Sequence, residues 1–306
     1  VSYGELWSTM IISAYLSVAL EQCSWMDARE LVRTDAKYRA ARVDWEISSL
    51  LMQESFASGE GQESIRYPLV LQGFIGSTEE GFTTTLGREG SDFSAAIFAY
   101  LLDAESVTIW KDVPGMFNAD PNRFPDTKLL SHISYHEAIE LSYFGASVIH
   151  PRTLQPLQKK NIPLYVRSFV DLNAPGSMID QRSEKDSLIP SFIVKGDQLL
   201  ISITPRDLSF IVEDNLSDIF SRFAKENVRI DLMQNSAVAF SVVVDDTARS
   251  RTLVDKLSVD YQVLYNSGLE LITVRHYDES TLDQLLKEKT ILIEQRSRTT
   301  ARFVVK

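Results

Sequence analysis

Short apolar runs alternate with segments of helical periodicity through the first half of this sequence. Apolar side chains recur every four residues within 6–18, and further helices are predicted at 43–56, 93–102, 135–144 and 153–159. Strands are predicted at 68–71, 106–110 and 163–169. Either Ser91 or Asp92 is predicted to cap the helix at 93–102. The alternation indicates a layered α/β domain that binds its ligands at the carboxyl ends of the strands.

A different pattern follows the turn-rich tract 173–190. The order strand, helix, strand, strand is predicted at 199–203, 215–226, 228–231 and 238–244, and again at 269–274, 282–287, 290–294 and 301–305. Such a duplication indicates two small α+β modules of βαββ order, the second of which ends without a final helix. The predicted domains are therefore 1–182, a linker at 183–190, a first module at 191–268 and an incomplete second module at 269–306.

Composition excludes several classes of protein. The chain has 42 acidic and 31 basic residues and a formal net charge of −11, which disfavours nucleic acid and anionic membranes as partners. Cys23 is the only cysteine, so disulfide frameworks and multi-cysteine metal sites are excluded and a reducing, cytoplasmic location is predicted. Serine and threonine interrupt the longest apolar stretch, 7–20, which therefore predicts a buried helix instead of a membrane span. His132 and His136 have helical metal-pair spacing, but no neighbouring carboxylate pattern supports a metal site.

Two loops carry residue types suited to binding anions. In the segment 87–92, Gly-Arg-Glu-Gly-Ser-Asp, the guanidinium of Arg88 can bind a carboxylate through two hydrogen bonds, and Ser91 lies where a helix amino terminus favours anions. Lys111 ends a predicted strand and offers a mobile charge suited to phosphate. Each loop also has a simpler interpretation. The first is a turn before a helix with a solvated Arg88, and the second is turn chemistry around 112–121.

The segment 87–92, preceded by three threonines and Leu86, resembles the aspartokinases, which have the amino-acid kinase fold. Five further segments, in the same order as in that family, carry the resemblance: 1–6, 72–76, 110–115, 119–121 and 144–151. The duplicated modules resemble the paired ACT domains of the family, so the resemblance covers essentially the whole chain. It implies a carbamate-kinase-like α/β/α domain, truncated at its amino end, followed by tandem ACT domains of the α+β class.

The resemblance implies transfer of the γ-phosphoryl group of ATP, with Mg²⁺, to the β-carboxylate of L-aspartate, the first step towards lysine, threonine and methionine. A carboxylate nucleophile is ionised at neutral pH, so catalysis requires alignment and charge neutralisation without a general base. The implied catalytic residues are Arg88 and Asp92. The implied substrate-binding residues are Glu5, Phe74, Arg88, Ser91 and Asp92, and the implied nucleotide-binding residues are Lys111, Asp112, Phe117, Asn122 and Ser147.

One of these positions departs from the family pattern. Many aspartokinases carry lysine at the position of Ser147, and serine cannot supply that charge. We expect Lys111 to compensate for it. The family's glycine-rich loop, with its phosphate-handling lysine and serine, has no counterpart before Val1, so the chain by itself is expected to be inactive.

The ACT resemblance implies an amino-acid effector, lysine or threonine, and a homodimer or higher oligomer formed through these domains. The implied effector residues are Ser209, Val212, Asn215, Leu216 and Asp231. The loop at 210–216 lacks the glycine common in ACT effector loops, and Asp231 is equally a polar residue at a strand end. Two other functions remain open at this point: a non-catalytic amino-acid-binding or dimerisation module, and an amino-acid kinase acting on a different carboxylate.

Overall fold

The computed structural model describes residues 2–56, 67–145, 148–207 and 209–306. Its contacts divide the chain into two compact units. The first unit takes in 1–116, 129–143 and 147–186, and the second takes in 117–128, 144–146 and 187–306. The carboxyl-terminal unit therefore includes a segment, 117–128, that lies inside the predicted first domain. The predicted domain boundaries themselves stay a prediction.

The first unit alternates helices and strands, as the sequence predicts. Its helices are α1 (Ser2–Ala19), α2 (Ala28–Leu31), α3 (Trp45–Phe56), α4 (Gly90–Leu101), α5 (Tyr135–Phe144) and α6 (Pro151–Lys160). Its strands are β1 (Ser24–Trp25), β2 (Leu69–Val70), β3 (Ile75–Ser77), β4 (Thr83–Thr85), β5 (Val107–Lys111), β6 (His132–Ser134), β7 (Leu164–Ser168) and β8 (Ser177–Asp180). The main sheet has the order β5-β7-β8-β6, and β1-β2 and β3-β4 form separate pairs.

The amino end of α4 differs from the prediction. The helix starts at Gly90, and its first flanking residue, Glu89, adopts a left-handed conformation with φ 53° and makes no side-chain cap. Ser91 and Asp92 lie inside the first turn, so neither is the cap. The predicted cap is wrong because the turn at 87–89 already reverses the chain, and the helix begins three residues before its first buried apolar side chain, Phe93. Phe93 and Ile97 then pack with Leu86 and Val32.

The second unit contains one antiparallel sheet of six strands, in the order β10-β11-β9-β12-β14-β13. Its elements are β9 (Ser191–Pro205), α7 (Glu213–Lys225), β10 (Leu232–Asn235), β11 (Phe240–Asp245), α8 (Ala248–Leu257), β12 (Tyr261–Arg275), α9 (Glu279–Leu286), β13 (Ile291–Arg296) and β14 (Thr300–Val305). The predicted strand at 228–231 is wrong. Val228 and Ile230 are apolar because they pack against the helix-covered core, and pairing begins only at Leu232.

The two repeats share their longest strands. β9 and β12 are 15 residues each and pair antiparallel from Ser191↔Arg275 to Pro205↔Tyr261, with irregularities between Asn266 and Leu271. Their opposite halves belong to different cores: Ile201, Ile203 and Tyr261 pack with α7 and α8, whereas Phe192, Val194 and Ile272 pack with α9. Each core therefore contains half of a long strand that belongs to the other repeat.

Among residues 2–56, 67–145, 148–207 and 209–306, no helix combines the length and the apolar character needed to cross a bilayer. The prediction of a buried helix is wrong for most of α1. The buried residues of this 18-residue helix are Leu6, Thr9 and Ser13, whereas most of its large apolar side chains are exposed. The face that packs carries the hydroxyls of Thr9 and Ser13, which contact Trp25 and Cys23, so the apolar stripe does not mark the buried face.

Candidate functional site

The segment 87–92 lies against the loop that precedes β3. A side chain at Gly90 would place its Cβ 2.7 Å from Cδ2 of Phe74, and one at Gly73 would lie 3.0 Å from Ser91. The first distance leaves no room for a Cβ at Gly90, and the second would be a tight contact at Gly73, so the two segments approach each other closely at both glycines. The structure therefore brings Phe74 and Ser91, which were predicted from segments far apart in the sequence, onto one surface.

The backbone of Phe74 is held from two sides. Its N–H donates to Oγ of Ser94 at 2.8 Å, and its carbonyl accepts from the N–H of Leu86 at 2.9 Å. Ser94 Oγ in turn donates to the carbonyl of Gly90 at 3.0 Å. Phe74 has a φ of 70°, an unusual conformation for a residue with a side chain, and these bonds fix it. Ser94 is a positioning residue that was not predicted, because nothing in the sequence distinguishes it from other serines within helices.

Asp92 and Lys111 form an ion pair. Nζ of Lys111 lies 2.7 Å from Oδ2 of Asp92, and their side chains are 26% and 14% exposed. Lys111 is the last residue of β5, and Asp92 lies in the first turn of α4. From the sequence, Asp92 was predicted to bind the substrate and Lys111 to bind the nucleotide. The structure places a cation and an anion from the two predicted sites in direct contact at the carboxyl end of a strand.

The other charged groups near the helix start differ in exposure. The Arg88 side chain is 81% exposed and its nearest acidic partner is Glu89, at 3.9 Å. Ser91 is exposed as well. In contrast, Oε2 of Glu89 is buried and has no hydrogen-bond partner among the described residues. The guanidinium of Arg88 is thus open to solvent and only loosely held by a neighbouring carboxylate.

Glu5 is placed by a buried hydrogen-bond network. Leu6, the next residue, packs against Ile75 and Phe74. One turn later, Oγ1 of Thr9 donates to the carbonyl of Glu5 at 2.9 Å and accepts from Nε2 of Gln72 at 2.8 Å. This network fixes the first turn of α1 against the loop that holds Phe74, so Glu5 and Phe74 belong to neighbouring parts of one packed region.

The remaining predicted nucleotide residues are placed differently. Asp112 follows β5 and is exposed. Phe117 and Asn122 lie in the segment 117–128, which belongs to the second unit. The Asn122 side chain and backbone N–H both donate to Oδ1 of Asp120, at 3.0 and 2.9 Å, as in an ordinary Asx turn. Ser147 lies outside the described residues.

The predicted effector residues surround the first turn of α7 and the start of β10. Val212 flanks α7, and its N–H donates to Oδ1 of Asn215 at 3.3 Å. Leu216 packs into the core, and the N–H of Ser209 donates to Asp207. The side chain of Asp231 is only 6% exposed and is ion-paired with Lys195, which also lies 3.0 Å from Oδ1 of Asp245. The carboxylate of Asp231 is therefore already paired with an ammonium group of the same chain. Lys195, which supplies that group, was not predicted from the sequence.

The carboxylate of Asp180, at the end of β8 in the first unit, is held by two side chains. Nε2 of His132 is 2.8 Å from Oδ1 of Asp180, and Arg182 binds the other carboxylate oxygen. Burial by itself raises the pKa of Asp180, but hydrogen bonds from Arg182 and His132 outweigh it and lower the pKa to about 2. In the described part of the chain no group of three histidine, cysteine, aspartate or glutamate side chains is arranged to hold a metal ion. The contact of His132 with Asp180 joins β6 to β8.

Comparison with known proteins identifies the family of the chain. Residues 1–168 match the model of the amino acid kinase family. The chain belongs to this family.

The relatives within the family are aspartokinases, so the resemblance and the predicted fold class are confirmed. The chain is 30% identical to Escherichia coli aspartokinase III in complex with lysine and aspartate, with a TM-score of 0.78, over 99% of this chain and 70% of that chain. The lysine-sensitive aspartokinase 3 of E. coli is 32% identical over 287 residues, which are 90% of this chain and 62% of that protein. The maize chloroplastic bifunctional aspartokinase/homoserine dehydrogenase 2 is 37% identical over 248 residues, 79% of this chain and 26% of that protein.

A Clostridium acetobutylicum aspartate kinase shares the fold, with a TM-score of 0.83 over 100% of this chain at 22% identity. The chain spans 26% and 62% of the length of the two curated relatives named above, less than two thirds in each case.

Proposed function

We propose that this chain is part of an aspartate kinase that transfers the γ-phosphoryl group of ATP to the β-carboxylate of L-aspartate. An aspartate oxygen bonds to the γ-phosphorus while the bond from that phosphorus to the β,γ-bridging oxygen breaks, giving 4-phospho-L-aspartate and ADP. The nucleophile is already a carboxylate, so no proton has to be removed from it. The single observation that carries this proposal is the contact between Asp92 and Lys111, which joins the two predicted subsites.

On the substrate side, Arg88 is suited to the α-carboxylate of aspartate. Its guanidinium is exposed, and within the described residues its acidic neighbour is Glu89, at 3.9 Å. A carboxylate ligand that binds through two hydrogen bonds therefore has only this long contact to displace. Asp92 and Glu5 are suited to the ammonium group, and the ring of Phe74 is fixed beside the helix start. Because α4 begins here, its unpaired amide groups favour an anion at the same place.

On the nucleotide side, Lys111 is suited to the phosphates. Asp92 balances its charge in the free protein, and this pairing holds the flexible lysine side chain at the edge of the sheet. Mg²⁺ would arrive with ATP and would neutralise charge on its phosphates. Lys111 would add to that neutralisation in the transition state.

The proposal also includes regulation by lysine or threonine, a homodimer or higher oligomer formed through the ACT domains, and a cytoplasmic location. Support for an effector comes from the complex of E. coli aspartokinase III with lysine, at 30% identity. In this chain, Lys195 already pairs with the carboxylate of Asp231, so an effector ammonium at that carboxylate has to share or displace Lys195. Asp231→Asn would test the assignment, since it should abolish stabilisation by the effector.

Calorimetric titration of the protein with L-aspartate tests the proposal. Arg88→Ala should weaken binding by about tenfold or more, the cost of losing a charge-assisted hydrogen-bonded pair. Arg249→Ala, which removes an exposed arginine of α8, is the matched control and should bind as the wild type does. If lysine or threonine binds while aspartate and Mg-ADP do not, the chain acts as a regulatory module, and the kinase proposal fails.

A further inference from the structure

The second unit contains a cavity that the proposed kinase function does not use. It has a volume of about 400 Å³ and lies between the segment 117–128, the start of β9 and one face of α9. Sites for small molecules occupy about 300 to 1,000 Å³ and combine apolar walls with a few polar groups. The cavity is therefore large enough for a small organic molecule.

The walls of the cavity are largely apolar. The rings of Phe124 and Phe192 are 5.9 Å apart and inclined at 32°, and Leu285 contributes from the helix. Thr281, Gln284 and Leu285 are spaced three and four residues apart, so they lie on the same face of α9. Two aromatic rings and a leucine form a surface that fits an aromatic group or a compact aliphatic one.

The segment that forms one wall is firmly held. The carbonyl of Asn118 accepts from the N–H of Phe192 at 2.6 Å, and its side chain donates to Pro190 at 2.9 Å and accepts from Lys128 at 2.7 Å. Further along, Arg123 lies 3.2 Å from Glu270. These bonds join the segment to β9 and β12, so the cavity is formed before any ligand arrives, which lowers the cost of binding.

The polar groups of the lining are unequally available. The side-chain NH2 and the side-chain carbonyl of Asn118 both form hydrogen bonds within the protein. The hydroxyl of Thr281 donates to Asp278 at 2.7 Å. Asp126 is the charged residue of the lining, and its carboxylate makes no hydrogen bond or ion pair with any other residue in the described ranges. A free carboxylate beside aromatic rings favours a cation and repels an anion.

We propose that this cavity binds a small primary amine with an aromatic body, with its ammonium group at Asp126 and its aromatic body packed against Phe124, Phe192 and Leu285. The amide of Gln284 lies at the same lining and can accept a second hydrogen bond from the ammonium. The inference does not depend on kinase activity, since it uses only groups of the second unit.

Ligand-observed NMR titration of the whole chain tests this site, with 2-phenylethylamine as the probe and 3-phenylpropanoate as its counterpart of opposite charge. The amine should bind with a Kd on the order of 1 mM, as expected for so small a ligand, and the acid should bind much more weakly. Asp126→Asn should weaken amine binding about fivefold, a loss typical of an exposed charge pair.

Two further variants locate the binding. Asp283→Asn removes an equivalent exposed charge from α9 outside the cavity and should leave amine binding unchanged. Gln284→Trp places a large ring in the cavity from an exposed position and should abolish binding while the circular dichroism spectrum stays the same. Equal binding of amine and acid, no binding of the amine, or amine binding that Asp126→Asn and Gln284→Trp leave unchanged would each overturn the proposal.

Discussion

The ammonium of Lys111 lies 2.7 Å from Oδ2 of Asp92 and joins two motifs that are 19 residues apart in the chain. Lys111 ends the strand β5, and Asp92 lies in the first turn of α4. A carboxylate in that turn interacts favourably with the helix dipole, and the lysine adds a second favourable interaction. The pair thereby connects the carboxyl end of a strand with the start of a helix, where anionic ligands of α/β domains gather.

Removing the ammonium of Lys111 should destabilise the protein because it leaves the partly buried carboxylate of Asp92 without its partner. We expect Lys111→Ala to lower the free energy of unfolding by about 1 to 2 kcal/mol, measured by urea denaturation. Lys159→Ala, at an exposed position of α6, is the control and should have no effect. In the intact enzyme Lys111→Ala should also raise the Michaelis constant for ATP, and an unchanged constant would remove Lys111 from the nucleotide site.

Gly90→Ala should be destabilising because the new methyl group would lie 2.7 Å from the Phe74 ring. Crowding of this kind typically costs about 1 to 3 kcal/mol. Gly4→Ala is the control within α1, where nothing lies within 4 Å of the added Cβ, and it should stabilise by roughly 0.5 to 1 kcal/mol. Thermal unfolding of both variants checks the contrast. Equal effects of the two substitutions would show that the loop and the helix start are not packed as described.

Thr9→Val should disrupt the attachment of α1. Valine has a similar shape but leaves Nε2 of Gln72 and Nε1 of Trp25 without their acceptor. Leaving buried donors unpaired costs about 1 to 3 kcal/mol, which urea denaturation can measure. Ser8→Ala removes a neighbouring hydroxyl that only bonds back to its own helix in an exposed position, so it should change stability little. A Thr9→Val protein as stable as the Ser8→Ala protein would contradict the network.

Acid should weaken the first unit through Asp180. Its pKa is about 2 in the folded chain against an ordinary value of 3.8, so the folded state favours the ionised carboxylate. The contribution is complete above the ordinary pKa and is lost as the pH falls from about 4 to 2, and it amounts to about 2 kcal/mol. Asp180→Asn should therefore reduce stability at neutral pH and flatten the decline in acid. Asp283→Asn, at an exposed position, should keep the wild-type decline; a decline unchanged in Asp180→Asn would contradict the ion pair.

The helices and strands that bury an apolar face could be predicted from the sequence. In α4, Phe93 and Ile97 recur at helical spacing because both pack in one core, and β5 alternates buried and exposed residues. The amino-terminal half of β12 was not predicted because most residues at 262–268 are exposed and impose no alternation. The helix α8 was missed as well, since only Leu253, Val254 and Leu257 supply its apolar face.

The residues of the candidate site could be predicted from the sequence, but the contacts between them could not. Arg88, Asp92 and Lys111 stood out because their segments resemble a family, yet their spacing in sequence does not reveal that Asp92 and Lys111 touch. Pairing of that kind depends on how a strand and a helix pack, which no local pattern encodes. For the same reason Lys195, the partner of Asp231, carried no signal: it lies 36 residues away in the sequence, on β9.

The most direct test of the proposed site is a crystal structure of the protein with L-aspartate and Mg-ADP bound. We expect the α-carboxylate of aspartate to pair with the guanidinium of Arg88, its ammonium to face Asp92, and Nζ of Lys111 to contact a phosphate oxygen. Aspartate or nucleotide bound elsewhere, with Arg88 in solvent and the Lys111 and Asp92 pair untouched, would contradict the proposed site.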